Sequence, residues 1–155
     1  MKKISKVIFL MVLLLSLCSC VKHIEDTNGE SNHSLTVITK EDMLNGYPTK
    51  TVGRKISRKN NEYNCSIKKF SGVEELFSGS FKDEDVAVKL NSKVESGNAK
   101  IILVYNEIII KEFSLNASNQ IVSLTNTNGK IRILVAGESA KISVDFTVES
   151  TKSIS

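Results

Sequence analysis

The chain of 155 residues has no tryptophan, one proline, two histidines and three cysteines, and each shortage removes a class of function. Both histidines, His23 and His33, precede residue 34, so the remainder is histidine-free. A Ser-His-Asp or Cys-His catalytic arrangement cannot be built within it, nor can a histidine-ligated zinc or copper site. His23 and His33, isolated in a polar stretch, read as solvated rather than as metal ligands. Without tryptophan the chain lacks the usual aromatic platform for sugars. Tyr63 and Tyr105 remain as lesser platforms, while Phe113 and Phe146 fall on apolar faces where core packing accounts for them.

A membrane-spanning run is missing as well. The apolar stretch Val7 to Leu17 is about 16 Å long as a helix, whereas a bilayer core is about 30 Å thick. Behind Lys2, Lys3 and Lys6, a short apolar run has the pattern of an export signal that is removed. It ends in Leu17-Cys18-Ser19-Cys20, which resembles the lipobox of bacterial lipoprotein precursors: Leu, a small or aliphatic residue, Gly, Ala or Ser, and an obligatory Cys. The rival register ending at Cys18 would put the bulky Leu17 where a small residue belongs. The resemblance implies loss of residues 1–19 and a diacylglyceryl thioether on Cys20. Each buried methylene contributes about 0.8 kcal/mol, so one acyl chain holds marginally and two or more anchor stably.

Removing residues 1–19 changes the charge. The three lysines leave with the signal, and the formal net charge falls from +4 to +1, with 18 basic residues against 17 acidic ones. The basic pI therefore belongs largely to the discarded segment, and no nucleic-acid partner is expected. The cysteine count falls too: Cys18 leaves and Cys20 is acylated. Cys65 then has no partner within the chain, and the fold must stand on its core without a disulfide. In Tyr63-Asn64-Cys65-Ser66-Ile67, alternation places Cys65 on one face with Tyr63 and Ile67, the position of a buried, inert thiol.

Residues 20–34 are polar and read as the lipidated Cys20 and a flexible tether with a reach of about 20 Å. Leu35 to Ile38 suits a short strand, and Thr39, three residues before Asp42, suits the N-cap of a single helical turn ending at Asn45-Gly46. Lys50 to Lys59 holds Lys50, Arg54, Lys55, Arg58 and Lys59. Two readings stand: a contact for anionic headgroups or wall polymers, or a solvated edge strand or loop in which charge discourages pairing.

From Tyr63 short apolar segments recur about every ten residues, separated by turn residues. In Asp85 to Leu90, residues Val86, Val88 and Leu90 share a face. In Ala140 to Val148, residues Ala140, Ile142, Val144, Phe146 and Val148 do so, a period of two that fits a strand with one wet face. Asn106-Glu107 suits a tight hairpin, and Asn128-Gly129 is the strongest short hairpin signal in the chain. No stretch after residue 63 is long enough for a crossover helix, which excludes βαβ architecture. Seven or eight strands in about 90 residues predict an all-β antiparallel β-sandwich over residues 35–150, of immunoglobulin-like or jelly-roll-like kind, with a small barrel as runner-up.

Asp83, Glu84 and Asp85 are the one gathering of oxygen ligands. Ca²⁺ takes six to eight of these, but the spacing matches no EF-hand loop, and exposed turn acids are the simpler account. No cofactor is expected. The leading expectation is a membrane-anchored, non-catalytic binding module in the cell envelope, with the membrane as one partner through Cys20 and an envelope protein or polymer as the other. The alternatives are a carbohydrate- or small-ligand-binding lipoprotein, and an envelope enzyme using carboxylates or Cys65. The richness in lysine and asparagine points to an AT-rich genome and the outer face of a Gram-positive membrane.

Overall fold

The computed structural model describes residues 34–152. The signal, Cys20, His23, His33 and nearly all of the tether lie outside the described residues. The described chain runs α1 (Lys40–Asn45), β1 (Lys50–Lys59), β2 (Glu62–Tyr105), β3 (Ile108–Phe113) and β4 (Gln120–Lys152), and all strand pairings are antiparallel. Among the described residues no helix is long and apolar enough to cross a membrane.

β2 has 44 residues and β4 has 33. Straight strands of that length would run about 145 Å and 110 Å at ~3.3 Å per residue, far beyond the size of a domain this small. Both must therefore bend. The first half of β2 pairs along one side of β4, from Glu62↔Thr147 to Lys82↔Asn128. The second half pairs along the other side, from Glu84↔Lys152 to Tyr105↔Ile131. Glu84 is paired with both Thr127 and Lys152, so two points on β4 that are far apart in sequence lie within about 10 Å of each other, one on each side of β2. The sheet folds over, and its inner face closes on one core.

β1 pairs only with β2, on the length Glu62–Ser71, and β3 only with β2, on Ile101–Tyr105. Both are open edges, so the architecture is an all-β sandwich-like fold and not a closed barrel.

The alternation expected from sequence holds. Val86, Val88 and Leu90 are buried, as are Ala140, Ile142, Val144, Phe146 and Val148. They join Tyr63, Cys65, Ile67, Phe70, Ile101, Leu103, Phe113, Ile131, Ile133 and Val135 in the main cluster. A second cluster lies on the outer face: Ile102, Val104, Leu134 and Ala136 are covered by Ile38 and Met43 from the α1 region. α1 forms as its cap residues predict. The Thr39 hydroxyl accepts from the Asp42 N–H (3.1 Å), the Asp42 carboxylate accepts from the Thr39 N–H (2.8 Å), and Gly46 with φ 91° ends the turn.

Two expectations are corrected. The seven or eight short strands are four, because several turn signals mark bends inside continuous strands. Asn106-Glu107 does make the β2–β3 hairpin, with φ 47° and 63°. Asn128-Gly129 does not turn: Asn128 pairs with Lys82 and Gly129 with Phe81 inside β4. The glycine serves close approach instead. A Cβ there would collide with the Asn106 side chain, whose Oδ1 accepts from the Lys130 N–H (2.9 Å) and whose amide donates to the Asn128 carbonyl (3.2 Å). The second correction concerns Leu35 to Ile38, which is not a strand.

Candidate interaction surface

The N–H groups of Thr36, Val37 and Ile38 form no ladder. All three donate to the Glu138 carboxylate, at 2.9, 2.6 and 3.1 Å to Oε1, and the Thr36 hydroxyl donates to Oε2 at 2.8 Å. Three successive N–H groups curled round one carboxylate make a small anion nest, and it straps residues 34–49 across the outer face of the sheet. Removal from water pushes the Glu138 carboxyl up, but the N–H groups of Val37, Thr36 and Ile38 and the Thr36 hydroxyl push it down further, to about 2. Nothing near residue 36 announces a partner 102 positions away. The legible signal was elsewhere, in the consecutive apolar residues Ile101–Val104 and Ile133–Ala136, which mark strands buried on both faces and so demand an outer cover.

Between this strap and the bend of the sheet lies an open cleft of about 440 Å³. Its lining includes Val37, Ile38, Tyr47 and Pro48, the facing pair Gly72 and Gly137, and Lys50, the first residue of β1. From there β1 runs ten residues along the edge, almost wholly exposed, with Val52 at 65% and Ile56 at 42%.

The five basic residues Lys50, Arg54, Lys55, Arg58 and Lys59 all lie on this edge strand, but they do not make one patch. Pairing sets Arg54 opposite Ile67 and Arg58 opposite Tyr63, on the side of the core, and sets Lys55 opposite Ser66 and Lys59 opposite Glu62, on the wet side. Arg54 pairs with Glu74 (3.2 Å), and the Arg58 guanidinium lies 5.0 Å from the centre of the Tyr63 ring. Lys50, Lys55 and Lys59 form no ion pair among the described residues.

The acidic triplet is placed at the bend of β2. Asp83, with φ 53°, accepts from the Asn128 amide (2.9 Å), and Asp85 accepts from the Asn126 N–H (2.9 Å). Both carboxylates thus clamp the β2 bend to β4. Among the described residues no three His, Cys, Asp or Glu side chains converge as a ligand set.

Tyr63 and Tyr105 are not open platforms. Tyr63 is buried and stacked on Phe146 (4.7 Å, 2°), and the Tyr105 hydroxyl donates to the Asn128 carbonyl (2.9 Å) and accepts from its N–H (3.0 Å). Cys65 is 3% exposed, and burial pushes its thiol up to about 11 against the lowering influence of Arg54. At pH 8 the thiol is therefore both covered and protonated. Iodoacetamide is expected to leave Cys65 unmodified in the native protein and to alkylate it in concentrated urea. Alkylation of the native protein at the unfolded rate, read from the peptide carrying residue 65, would contradict this.

Comparison with protein-family models and with curated proteins finds no match to this chain.

Proposed function

We propose that this chain is a lipid-anchored protein of the bacterial cell envelope. Acyl chains on Cys20 hold it to the extracytoplasmic face of the membrane, and its β-sandwich is a non-catalytic binding module. The observation that carries the binding reading is β1, a ten-residue open edge bearing five cations and no acidic residue and running out of an apolar cleft. The buried, protonated Cys65 favours binding over thiol chemistry. The anchor rests on Leu17-Cys18-Ser19-Cys20 and its basic, apolar approach.

Metabolic labelling with a fatty acid in the native host tests the anchor. The wild type is expected to take up label and sediment with membranes, and Cys20→Ala to lose both. Persistent label in Cys20→Ala would move the attachment site. Hydrolysis of an envelope polymer by the purified protein, abolished by Cys65→Ala or Asp85→Ala, would overturn the non-catalytic reading.

A second reading, a lipoprotein that binds a small ligand, is favoured by a cleft of about 410 Å³ at one end of the sandwich. There the half-buried Phe77 and Phe81 offer ring edge, and Arg58, held over the buried Tyr63, offers a cation. Retention on a glycan array or a ligand-induced rise in melting temperature would support it.

A further inference from the structure

Resting on the binding-module reading, and giving its partner a chemistry, we infer that the exposed edge of β1 accepts an acidic, extended segment of another protein as an added strand. The cleft beside Lys50 takes an apolar side chain at one end of that segment.

An edge strand points about half of its backbone N–H and C=O groups away from its single partner, and these are the groups an added strand satisfies. β1 offers this over Lys50–Lys59, a length of about 33 Å at ~3.3 Å per residue. Lysines on an edge ordinarily discourage pairing, but they discourage only strands that are not acidic, so the same charges act as a filter on the partner. A second copy of this chain is disfavoured on that ground. Pairing two β1 edges would set five cations against five, with no acidic residue on either strand.

The charge distribution also separates a strand from a lipid surface. Arg54 and Arg58 lie on one side of the sheet and Lys55 and Lys59 on the other. A flat anionic surface meets one side at a time, whereas an added strand runs between both rows and sends its own side chains alternately to each. Lys68 and Lys69, opposite Gly53 and Val52 on β2, add two further cations that form no ion pair among the described residues. Exposed Val52 and Ile56 supply apolar contact between the charges. The cleft beside Lys50 is lined by Val37, Tyr47 and Pro48, and its volume of about 440 Å³ is enough for one large side chain.

The test uses the full-length protein in nonionic detergent and a fluorescent twelve-residue peptide that repeats Glu-Glu-Val-Val and ends in Phe, so that each face of the strand carries Glu. Controls are the Lys/Val counterpart, the Glu/Val peptide with alternate backbone amides N-methylated, and vesicles of phosphatidylglycerol. The acidic peptide is expected to bind, to weaken as salt rises, and to slow amide exchange of residues 50–59. The N-methylated and Lys/Val peptides are expected not to bind. Lys55→Glu with Lys59→Glu should weaken binding about tenfold or more, since each reversal replaces an attraction by a repulsion. A folded protein that ignores the acidic peptide, that binds the N-methylated peptide equally, or that binds the vesicles through β1 while ignoring the peptide overturns the inference. None of these outcomes alters the Cys20→Ala labelling result, so the anchor stands or falls separately.

Discussion

Replacing Phe70 with alanine is expected to cost about 3–5 kcal/mol, a large part of the total stability of a domain this size. Phe70 is 1% exposed and sits where the first half of β2 changes register against β4, between Ile67↔Ile142 and Gly72↔Gly137. Its ring occupies the space that a side chain at position 137 would need, since a Cβ on Gly137 would meet the ring at Cε1 and Cζ. The ring therefore fills the bend from inside, and its removal leaves a void that the backbone cannot close without losing that register. Urea unfolding should show a markedly lower midpoint for Phe70→Ala. Gly137→Ala should also destabilise, by overpacking, and Phe70→Leu should relieve part of that loss in the double variant. If the two substitutions simply add, the ring and the glycine do not share the space as described.

The second large effect is expected at Glu138. Its carboxylate is the common acceptor for Thr36, Val37 and Ile38, so Glu138→Ala leaves three N–H groups without their acceptor and loosens residues 34–46, while the Thr49 hydroxyl still donates to the Val73 carbonyl. The outer cluster of Ile102, Val104, Leu134 and Ala136 then loses its cover of Ile38 and Met43. Amide exchange over residues 36–46 should rise steeply, with binding of a hydrophobic dye, while the inner core stays protected. The same contact carries a pH dependence. The folded carboxyl titrates at about 2, below its ordinary value of 4.5, so its contribution is present above pH 4.5 and is lost as pH falls toward 2. For a half-buried group that contribution is about 1–2 kcal/mol after allowing for solvent screening. Glu138→Gln should therefore start less stable and lose less than the wild type as pH falls from 4.5 toward 2. A variant with the wild-type acid profile would place the titration elsewhere.

How much was legible in the sequence depended on whether the cause was local. Alternation in Ala140–Val148 reported its own burial, and Thr39 with Asp42 reported its own cap, because those interactions lie within a few residues. Asn106-Glu107 turned as expected. Asn128-Gly129, with the stronger hairpin signature, did not, because the glycine answers to the Asn106 side chain and not to its own neighbours. Asp83 likewise reads as a turn and is a bend in a strand that continues. For the candidate surface, the edge strand and its charge were readable from Lys50–Lys59. The division of that charge between two faces needed the register against β2. The Glu138 nest was illegible because a carboxylate that accepts backbone N–H groups looks, in sequence, like any surface glutamate.

The bent pairing of β2 with β4 also governs how the protein reaches its fold. Glu62 finds Thr147, and Glu84 finds Lys152. Neither pairing can form until nearly the whole chain is present, and closing loops of that size is slow. Apart from the single turn of α1 and the short β1–β2 and β2–β3 hairpins, little in the chain can fold early. A polypeptide emerging from the ribosome would stay largely unstructured until its last strand followed. That delay suits a protein proposed to cross a membrane before it folds, with translocation competing against a closure that waits for the final residues of β4.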